Sequence, residues 1–208
     1  MEEETVETPH GPARVHLTTV DEPIGALVLG HGAGGGVTAP DLQAAAKVAT
    51  GLGLVVALVE QPYRVAGRRS PAPAKQLDAA WHAVVEQLRA GPMKGLDIVT
   101  GGRSSGARVA CRTAIGVGAV AVLCLAFPLR PPGRTKDGQP KPSRLEELDG
   151  AGVPTLVVQG ERDTFGMPPE APGRQVVVVD GDHSLKKDMA RIRATIEAWL
   201  PTVVGRAG

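Results

Sequence analysis

The sequence predicts an α/β protein with a mostly parallel sheet covered by helices on both faces. Short, continuous apolar runs recur along the chain, and such runs are typical of strands buried on both faces of a sheet. The clearest are IGALVL at 24–29, LVVALV at 54–59, AVAVLCLA at 119–126 and QVVVVD at 175–180. Segments with helical periodicity separate them, and strands that alternate with helices form largely parallel sheets.

The chain is predicted to begin with a pair of strands, at residues 5–8 and 13–20. The sequence PHGP between them has the composition of a turn. The strand at 24–29 follows, and then a glycine-rich loop over residues 30–36. A helix is predicted from about residue 40 to residue 51, before the second buried strand at 54–59.

The middle of the chain contains the clearest helix. After a loop at 60–73 that is rich in Pro and Arg, a helix is predicted over 74–90, because its apolar side chains recur at steps of three and four residues. These side chains are Leu77, Trp81, Val84, Val85 and Leu88. A short apolar run at 96–99, a helix to about residue 115 and the strand at 119–126 follow.

The last third begins with residues 127–142, which are rich in proline and are predicted to have no regular structure. A short helix is predicted over 143–149, because Ser143 and Glu146 have the spacing of a capping box. Two further strands at 153–159 and 175–180 precede a final helix over 185–200. One domain over residues 1–208 is predicted, since the chain has the length of a single domain.

Composition argues against several classes of protein. The formal net charge is +1, with 23 Lys and Arg against 22 Asp and Glu, so no basic surface for nucleic acid or an anionic membrane is predicted. The N-terminus is acidic, and no run approaches the roughly 20 apolar residues of a membrane span. We therefore expect a cytoplasmic protein. Cys111 and Cys124 lack the spacing of metal ligands, and we expect both to be buried and reduced.

The stretch Gly102-Arg103-Ser104-Ser105-Gly106 lies between a predicted strand and a predicted helix. Gly-x-Ser-x-Gly in this context is the signature of a serine nucleophile on a sharp turn. Glycines are needed there because a side chain would collide with the neighbouring strand or helix. A serine hydroxyl also needs a base, and His183 is the only histidine after Ser104. His183 directly follows the strand at 175–180, so it is the candidate base.

The base in turn needs a carboxylate to orient it. Asp163 is the candidate acid, because it follows the strand at 153–159. Glu161 occupies the same turn and remains an alternative. Asp180 and Asp182 are too close in sequence to His183 to reach its ring easily.

Stabilising the charged intermediate of acyl transfer requires backbone N–H donors. Ser105, the residue after the nucleophile, is expected to supply one. The loop after the strand at 24–29 is expected to supply the other, from Ala33 or alternatively Gly34. Gly34 is also a candidate substrate contact. In the same loop, we expect His31 to hold the turn by hydrogen bonds rather than to act as a base.

Several arginines have two possible roles. Arg103, beside the candidate nucleophile, could bind a carboxylate of the substrate or pair with a structural acid, and both possibilities remain open. Arg64, Arg68 and Arg69 follow the strand at 54–59 and therefore lie near the same edge of the sheet. They could attract an anionic substrate, although a solvated basic loop is the simpler interpretation.

A dinucleotide site is the main competing interpretation. Gly30, Gly32 and Gly35 match the G-x-G-x-x-G fingerprint, and Glu60 ends the next strand, where a ribose-binding acid would lie. That fingerprint requires a helix to begin within the glycine loop. Here residues 36–40 separate the glycine loop from the helix, which is predicted to begin only at about residue 40. This interpretation also leaves the positions of Ser104 and His183 unexplained.

Taken together, six short motifs, HGAGGG, EQPYR, GGRSSGARVA, AFPLRPPG, QGERDTFG and DGDHSL, resemble the α/β-hydrolase family. They look like a compact branch that is similar to dienelactone-hydrolase-like proteins and includes testis-expressed and NSL-complex subunits. The resemblance implies an α/β-hydrolase fold, with Ser104 as nucleophile, Asp163 as acid and His183 as base. Many relatives insert a lid domain after the strand at 119–126, but the segment here is short, so no sizeable lid is expected. True dienelactone hydrolases use a cysteine nucleophile, so their substrate is not implied.

The sequence therefore predicts a serine hydrolase that cleaves carboxylic esters or related acyl bonds through an acyl-enzyme. No metal or cofactor is required, and the expected partner is a small-molecule ester or acyl substrate, with no nucleic acid and no membrane. The alternative is a catalytically silent interaction module that keeps the fold, as some members of this branch do. The complete Ser104, Asp163 and His183 set favours the enzyme, because a scaffold has no physical need of it.

Overall fold

A computed structural model describes residues 2–205. Within these residues the strands are β1 (Glu2–Val6), β2 (Ala13–Thr18), β3 (Gly25–Gly30), β4 (Leu54–Glu60), β5 (Ile98–Arg103), β6 (Ala121–Leu125), β7 (Thr155–Gly160) and β8 (Arg174–Val179). The helices are α1 (Pro40–Gly51), α2 (Pro62–Val65), α3 (Ala74–Ala90), α4 (Ser105–Thr113), α5 (Leu145–Asp149) and α6 (Met189–Trp199), and a 3₁₀ turn (Leu200–Thr202) follows α6. The predicted single domain also included Met1 and residues 206–208, which lie outside the described residues, and it stays a prediction.

The strands form one eight-stranded sheet in the order β1-β2-β4-β3-β5-β6-β7-β8. Every neighbouring pair from β4 to β8 is parallel, whereas β1 and β2 pair antiparallel with each other and β2 pairs antiparallel with β4. The predicted mostly parallel sheet is confirmed. The strand order reverses between β3 and β5, and ligands of such sheets bind at the carboxyl ends of the strands where this reversal occurs.

Two apolar layers cover the sheet, one on each face. Leu42 of α1 and Ile192 and Ile196 of α6 pack in one layer. Trp81 of α3 and Val109 of α4 pack in the other. Because the core has few aromatic residues, its volume is filled mainly by Val, Leu and Ala side chains that are fully buried.

Two features of the N-terminal half differ from prediction. The first strand covers Glu2–Val6 rather than 5–8, because the hairpin register places the buried Val6 opposite Ala13. The segment predicted as loop at 60–73 contains the one-turn helix α2, which begins at Pro62. Proline suits the first turn of a helix because its missing N–H would have no intrahelical partner there.

The C-terminal half also departs from prediction at two helix starts. The short helix begins at Leu145, preceded by Arg144, rather than at 143. The Ser143 hydroxyl accepts the Leu145 N–H at 3.2 Å, but the return bond from Glu146 that completes a capping box is not among the hydrogen bonds of the described residues. The final helix begins at Met189 rather than 185, because Leu185 and Asp188 have φ values of 48° and 47°. Residues in this left-handed conformation interrupt a right-handed helix.

The proline-rich segment after β6 forms no helix or strand within the described residues before α5 begins. It is therefore not a lid domain, as expected from its length. None of the helices formed by residues 2–205 combines the length and the apolar character that a membrane crossing requires. The two cysteines are free and buried, as predicted, and the Sγ atoms of Cys111 in α4 and Cys124 in β6 lie 3.5 Å apart.

Candidate active site

Ser104 lies between β5 and α4 with φ 52° and ψ −106°, a strained conformation for a residue with a side chain. The turn is possible because two glycines let three backbone segments approach closely. A Cβ atom at Gly102 would lie 2.4 Å from the carbonyl oxygen of Gly30, and one at Gly106 would lie 2.2 Å from the same oxygen. The crowding predicted for both motif glycines is confirmed, and it holds the Ser104 hydroxyl at the carboxyl end of the sheet.

A chain of hydrogen bonds connects Ser104, His183 and Asp163. Nε2 of His183 lies 2.9 Å from Oγ of Ser104, and Nδ1 of His183 lies 2.8 Å from Oδ2 of Asp163. The Asp163 side chain is fully buried, whereas the His183 side chain is 21% exposed. A neutral imidazole that donates from Nδ1 to the carboxylate leaves Nε2 free to accept the serine proton. The three residues follow the ends of β5, β7 and β8, so the sheet brings together positions far apart in sequence.

The loop after β3 passes close to Ser104. A Cβ atom at Gly32 would lie 3.6 Å from Cβ of Ser104, and the Gly35 N–H closes a turn by donating to the Gly32 carbonyl at 3.2 Å. The N–H groups of Ala33 and Ser105 donate to no acceptor in the part of the chain that the structure describes. Both amides are therefore available to a ligand beside Ser104.

His31 and Tyr63 hold this loop from behind. The His31 ring donates from Nδ1 to the Gly32 carbonyl at 2.8 Å and accepts at Nε2 from the Gln61 N–H at 3.1 Å. Burial lowers the pKa of His31, an effect that the bond to Gly32 opposes. The Tyr63 hydroxyl donates to the Ala33 carbonyl at 3.1 Å. The expected structural role of His31 agrees with this geometry.

The family follows from the sequence as a whole, because a family model for the alpha/beta hydrolase domain matches residues 23–203. The chain belongs to the alpha/beta hydrolase family. The match includes every residue of the site described above, and the family assignment supports a hydrolase. No curated protein matches the sequence at a significant level.

Solved structures share the fold of this hydrolase-family chain over almost its whole length. An a/b serine hydrolase without a lid from Xanthomonas campestris is 18% identical, covers 100% of this chain and 96% of its own, and has a TM-score of 0.75. An alpha-beta serine hydrolase homologue from Coxiella burnetii is 17% identical, with coverages of 96% and 97% and a TM-score of 0.74. Dienelactone hydrolase from Anabaena variabilis is 16% identical, with coverages of 98% and 98% and a TM-score of 0.75. At these identities the likeness shows a common fold.

The other acidic side chains of the hydrolase site point elsewhere. Glu161 and Asp180 both form exposed ion pairs with Arg162. The Asp182 carboxylate accepts from the Ser184 N–H at 2.8 Å and from its hydroxyl, and these bonds lower its pKa. Of the carboxylates considered from the sequence, Asp163 is the one in contact with His183.

Two residues that contact this site were missed from the sequence. The buried side chain of Gln159 donates from Nε2 to Oδ2 of Asp163 at 2.8 Å and lies 3.0 Å from the Gly166 carbonyl. Phe165 donates its N–H to Oδ1 of Asp163 at 2.8 Å, and its ring centroid lies 4.2 Å from that of His183. A polar residue at the end of an apolar strand was the available signal for Gln159. No pattern in the sequence distinguished Phe165.

Arg103 forms a structural ion pair, one of its two predicted roles. Its Nε lies 2.9 Å from Oδ2 of Asp41 in α1, and its Nη2 donates to the carbonyl oxygen of His183 at 2.8 Å. Burial raises the pKa of Asp41, an effect that the Arg103 charge opposes. Arg103 therefore ties the His183 loop to α1. Arg103 also lines the cleft, and a direct contact with substrate stays a prediction.

An open cleft of about 600 Å³ surrounds Ser104 and His183. Ala33 and Gly34 line it, as do Phe165 and Lys186, whereas Arg64, Arg68 and Arg69 are not among its lining residues. The predicted proximity of that basic loop to the site is therefore not seen at the cleft itself. The dinucleotide interpretation also fails geometrically, because α1 begins at Pro40 rather than within the glycine loop.

Proposed function

We propose that this protein is a serine hydrolase that cleaves carboxylic esters or related acyl bonds through a covalent acyl-enzyme. The observation that supports the proposal most strongly is the unbroken contact from Ser104 Oγ through His183 to Asp163, with separations of 2.9 and 2.8 Å. A hydroxyl, an imidazole and a buried carboxylate in this order are the groups that nucleophilic acyl transfer requires.

In the first half of the reaction, His183 Nε2 accepts the Ser104 proton while Oγ attacks the substrate carbonyl carbon. The resulting imidazolium is stabilised by the Asp163 carboxylate, which keeps the ring oriented. His183 then gives the proton to the leaving alkoxide, and the acyl group remains on Ser104. In the second half, water attacks the acyl carbon with His183 as base, and the acid product leaves.

The negative charge of each tetrahedral intermediate needs hydrogen-bond donors. We assign this role to the N–H groups of Ala33 and Ser105, which have no acceptor in the described residues. One such donor is worth about 3–4 kcal/mol of transition-state stabilisation. Tyr63 and His31 support the assignment, because they fix the Ala33 loop by hydrogen bonds to its carbonyl groups.

The shape of the cleft favours small or exposed acyl groups. The loop from Ala33 to Gly36, which has almost no side chains, forms much of the wall near Ser104, and Phe165 and His183 add aromatic side chains. No helix or strand of residues 126–144 covers the opening. A long acyl chain would therefore remain partly in water, which gives it little hydrophobic advantage over a short one.

The test is turnover of p-nitrophenyl esters of increasing acyl length, compared with thioesters and peptides. We expect hydrolysis of short esters, and Ser104→Ala should lower kcat by about 10⁶-fold, because the nucleophile is absent. The matched control is Ser143→Ala, a serine outside the cleft. Folding of both variants is checked by circular dichroism.

Equal turnover by Ser104→Ala and the natural sequence would contradict the proposal. Folded protein that turns over none of these substrates, and whose Ser104 does not react with acylating agents, would instead favour the silent interaction module. Turnover of thioesters alone would keep the serine mechanism and change the substrate class.

A further inference from the structure

A second cavity lies beside Tyr63, the residue whose hydroxyl donates to the carbonyl of Ala33 in the glycine loop. Its volume is about 280 Å³, and none of its lining residues lines the cleft at Ser104. It is formed where the turn between β1 and β2 meets α2 and the start of α3. Its apolar wall consists of Pro12, Pro62, Tyr63, Val65, Ala72 and Leu77.

The charged side chains that line this cavity are basic. Arg68, an exposed residue, and His10 line it, and no acidic side chain does so among its lining residues, all of which lie within the described part of the chain. The Arg68 guanidinium has no carboxylate within 4.0 Å in residues 2–205, and its backbone is fixed because the Arg68 N–H donates to the Tyr63 carbonyl at 2.8 Å. An apolar wall beside an unpaired guanidinium is complementary to a compact apolar body with an anionic end.

The volume limits the size of the ligand. Pockets for drug-sized ligands are roughly 300–1,000 Å³, and an apolar cavity of about 150 Å³ holds a benzene ring. About 280 Å³ therefore suits a single ring or a short branched chain together with its carboxylate. We propose that this cavity is a binding site for a small aromatic or branched aliphatic carboxylate, with the carboxylate at Arg68 and the apolar body against Tyr63.

Tyr63 connects the cavity to the candidate active site. It is 4% exposed, its ring forms part of the cavity wall, and its hydroxyl donates to the Ala33 carbonyl at 3.1 Å. Gln61 lines the same cavity, and its N–H donates to His31 at 3.1 Å. A ligand packed against Tyr63 would restrain the loop that presents the Ala33 N–H. This coupling rests on the proposed function, whereas binding at the cavity does not.

Binding is tested on its own by isothermal titration calorimetry with benzoate as the probe. We expect Arg68→Gln to weaken benzoate binding by about tenfold, because a charge-assisted hydrogen bond is lost. Arg69→Gln is the matched control, since Arg69 is the next residue and does not line the cavity. Benzamide, which has the same shape without the charge, should bind the natural protein about as weakly as benzoate binds Arg68→Gln.

A second pair of variants locates the site. Ala72→Trp should fill the cavity and abolish benzoate binding, whereas Ala79→Trp, at a similarly half-buried position outside the cavity, should not. Binding that Ala72→Trp and Arg68→Gln leave unchanged would place benzoate elsewhere and overturn the proposal. The absence of binding to folded natural protein would overturn it as well.

The effect of benzoate at the cavity on the candidate active site is measured separately, as a change in kcat. Saturating benzoate should raise kcat for p-nitrophenyl acetate by about fivefold, at the low end of typical coupling between sites. Tyr63→Phe should bind benzoate and lose this increase, because the bond to the Ala33 carbonyl is missing. An unchanged kcat at full occupancy, in an enzyme whose turnover depends on Ser104, would overturn the coupling alone.

Discussion

At the scale of single residues, Asp163 is held more firmly than its partners in the hydrogen-bond chain. Both of its carboxylate oxygens accept bonds from β7 and the turn that follows, at 2.8 Å from Gln159 and 2.8 Å from the Phe165 N–H. Three donors, with His183 included, therefore fix a fully buried carboxylate. A carboxylate oriented in this way can orient an imidazole in turn, so Gln159 and Phe165 are positioning residues for the proposed reaction.

The role of Asp163 can be separated from that of its neighbour Glu161. We expect Asp163→Asn to lower kcat by about 10⁴-fold while the fold is kept, because an amide cannot hold the imidazole in the tautomer that accepts the serine proton. Glu161→Gln should leave kcat within about twofold, since Glu161 forms an exposed ion pair whose contribution is small. Steady-state kinetics on p-nitrophenyl acetate measures both. A large loss of kcat in Glu161→Gln and a small one in Asp163→Asn would identify Glu161 as the acid instead.

Sequence alone could name His183 as the base, because no other histidine follows Ser104. It could not decide between Asp163 and Glu161, since both lie in one turn and only the path of the backbone determines which carboxylate reaches the ring. The ion pair between Asp41 and Arg103 also could not be predicted from the sequence. Asp41 is fully buried against Arg103, but an acidic residue in the first turn of a helix is ordinary and gives no sign of a distant partner.

At the scale of elements, the site depends on how closely β3 approaches the start of α4. Gly30 and Gly106 allow this approach, and the strand end and the helix start are then in backbone contact. The same packing fixes the backbone of the two segments that adjoin this contact, the glycine loop after β3 and the Ser104 turn before α4. A shift of either element would change the distance between Ser104 and the Ala33 N–H.

A methyl group at Gly106 tests this packing. Gly106→Ala should destabilise the protein by about 1–3 kcal/mol, because overpacking forces the backbone apart, and it should also reduce kcat. Gly51→Ala is the control: a Cβ there meets nothing within 4 Å, and removing a glycine from a helix end should stabilise by up to about 1 kcal/mol. Urea unfolding gives both values. Equal stabilities for the two variants would contradict the close approach.

Long elements with strong periodicity were predictable, and short ones were not. The bounds of α3 match the prediction, because its apolar face is long enough to set both ends. The one-turn α2 has too few residues for a periodic pattern. The start of α6 depends on the left-handed backbone of Leu185 and Asp188, neither of which is a glycine, so nothing in the sequence marks it.

At the scale of the whole molecule, the reversal of strand order between β3 and β5 explains why the site forms where it does. The glycine loop leaves β3 and the Ser104 turn leaves β5, and these strands are neighbours in the sheet. Asp163 and His183 follow β7 and β8, which are neighbours at the far edge. A largely parallel sheet thus brings four separate strand ends to one side. The cytoplasmic location and the absence of nucleic-acid or membrane partners stay predictions from composition.

The most direct test of the central claim is the site of covalent modification by a fluorophosphonate, which reacts with serines activated by a neighbouring base. Intact mass spectrometry should show one adduct per folded chain, and peptide mapping should place it on Ser104. Ser104→Ala should give no adduct, and Asp163→Asn should react far more slowly. An adduct on any other residue, or an unmodified chain whose fold is intact, would contradict the account.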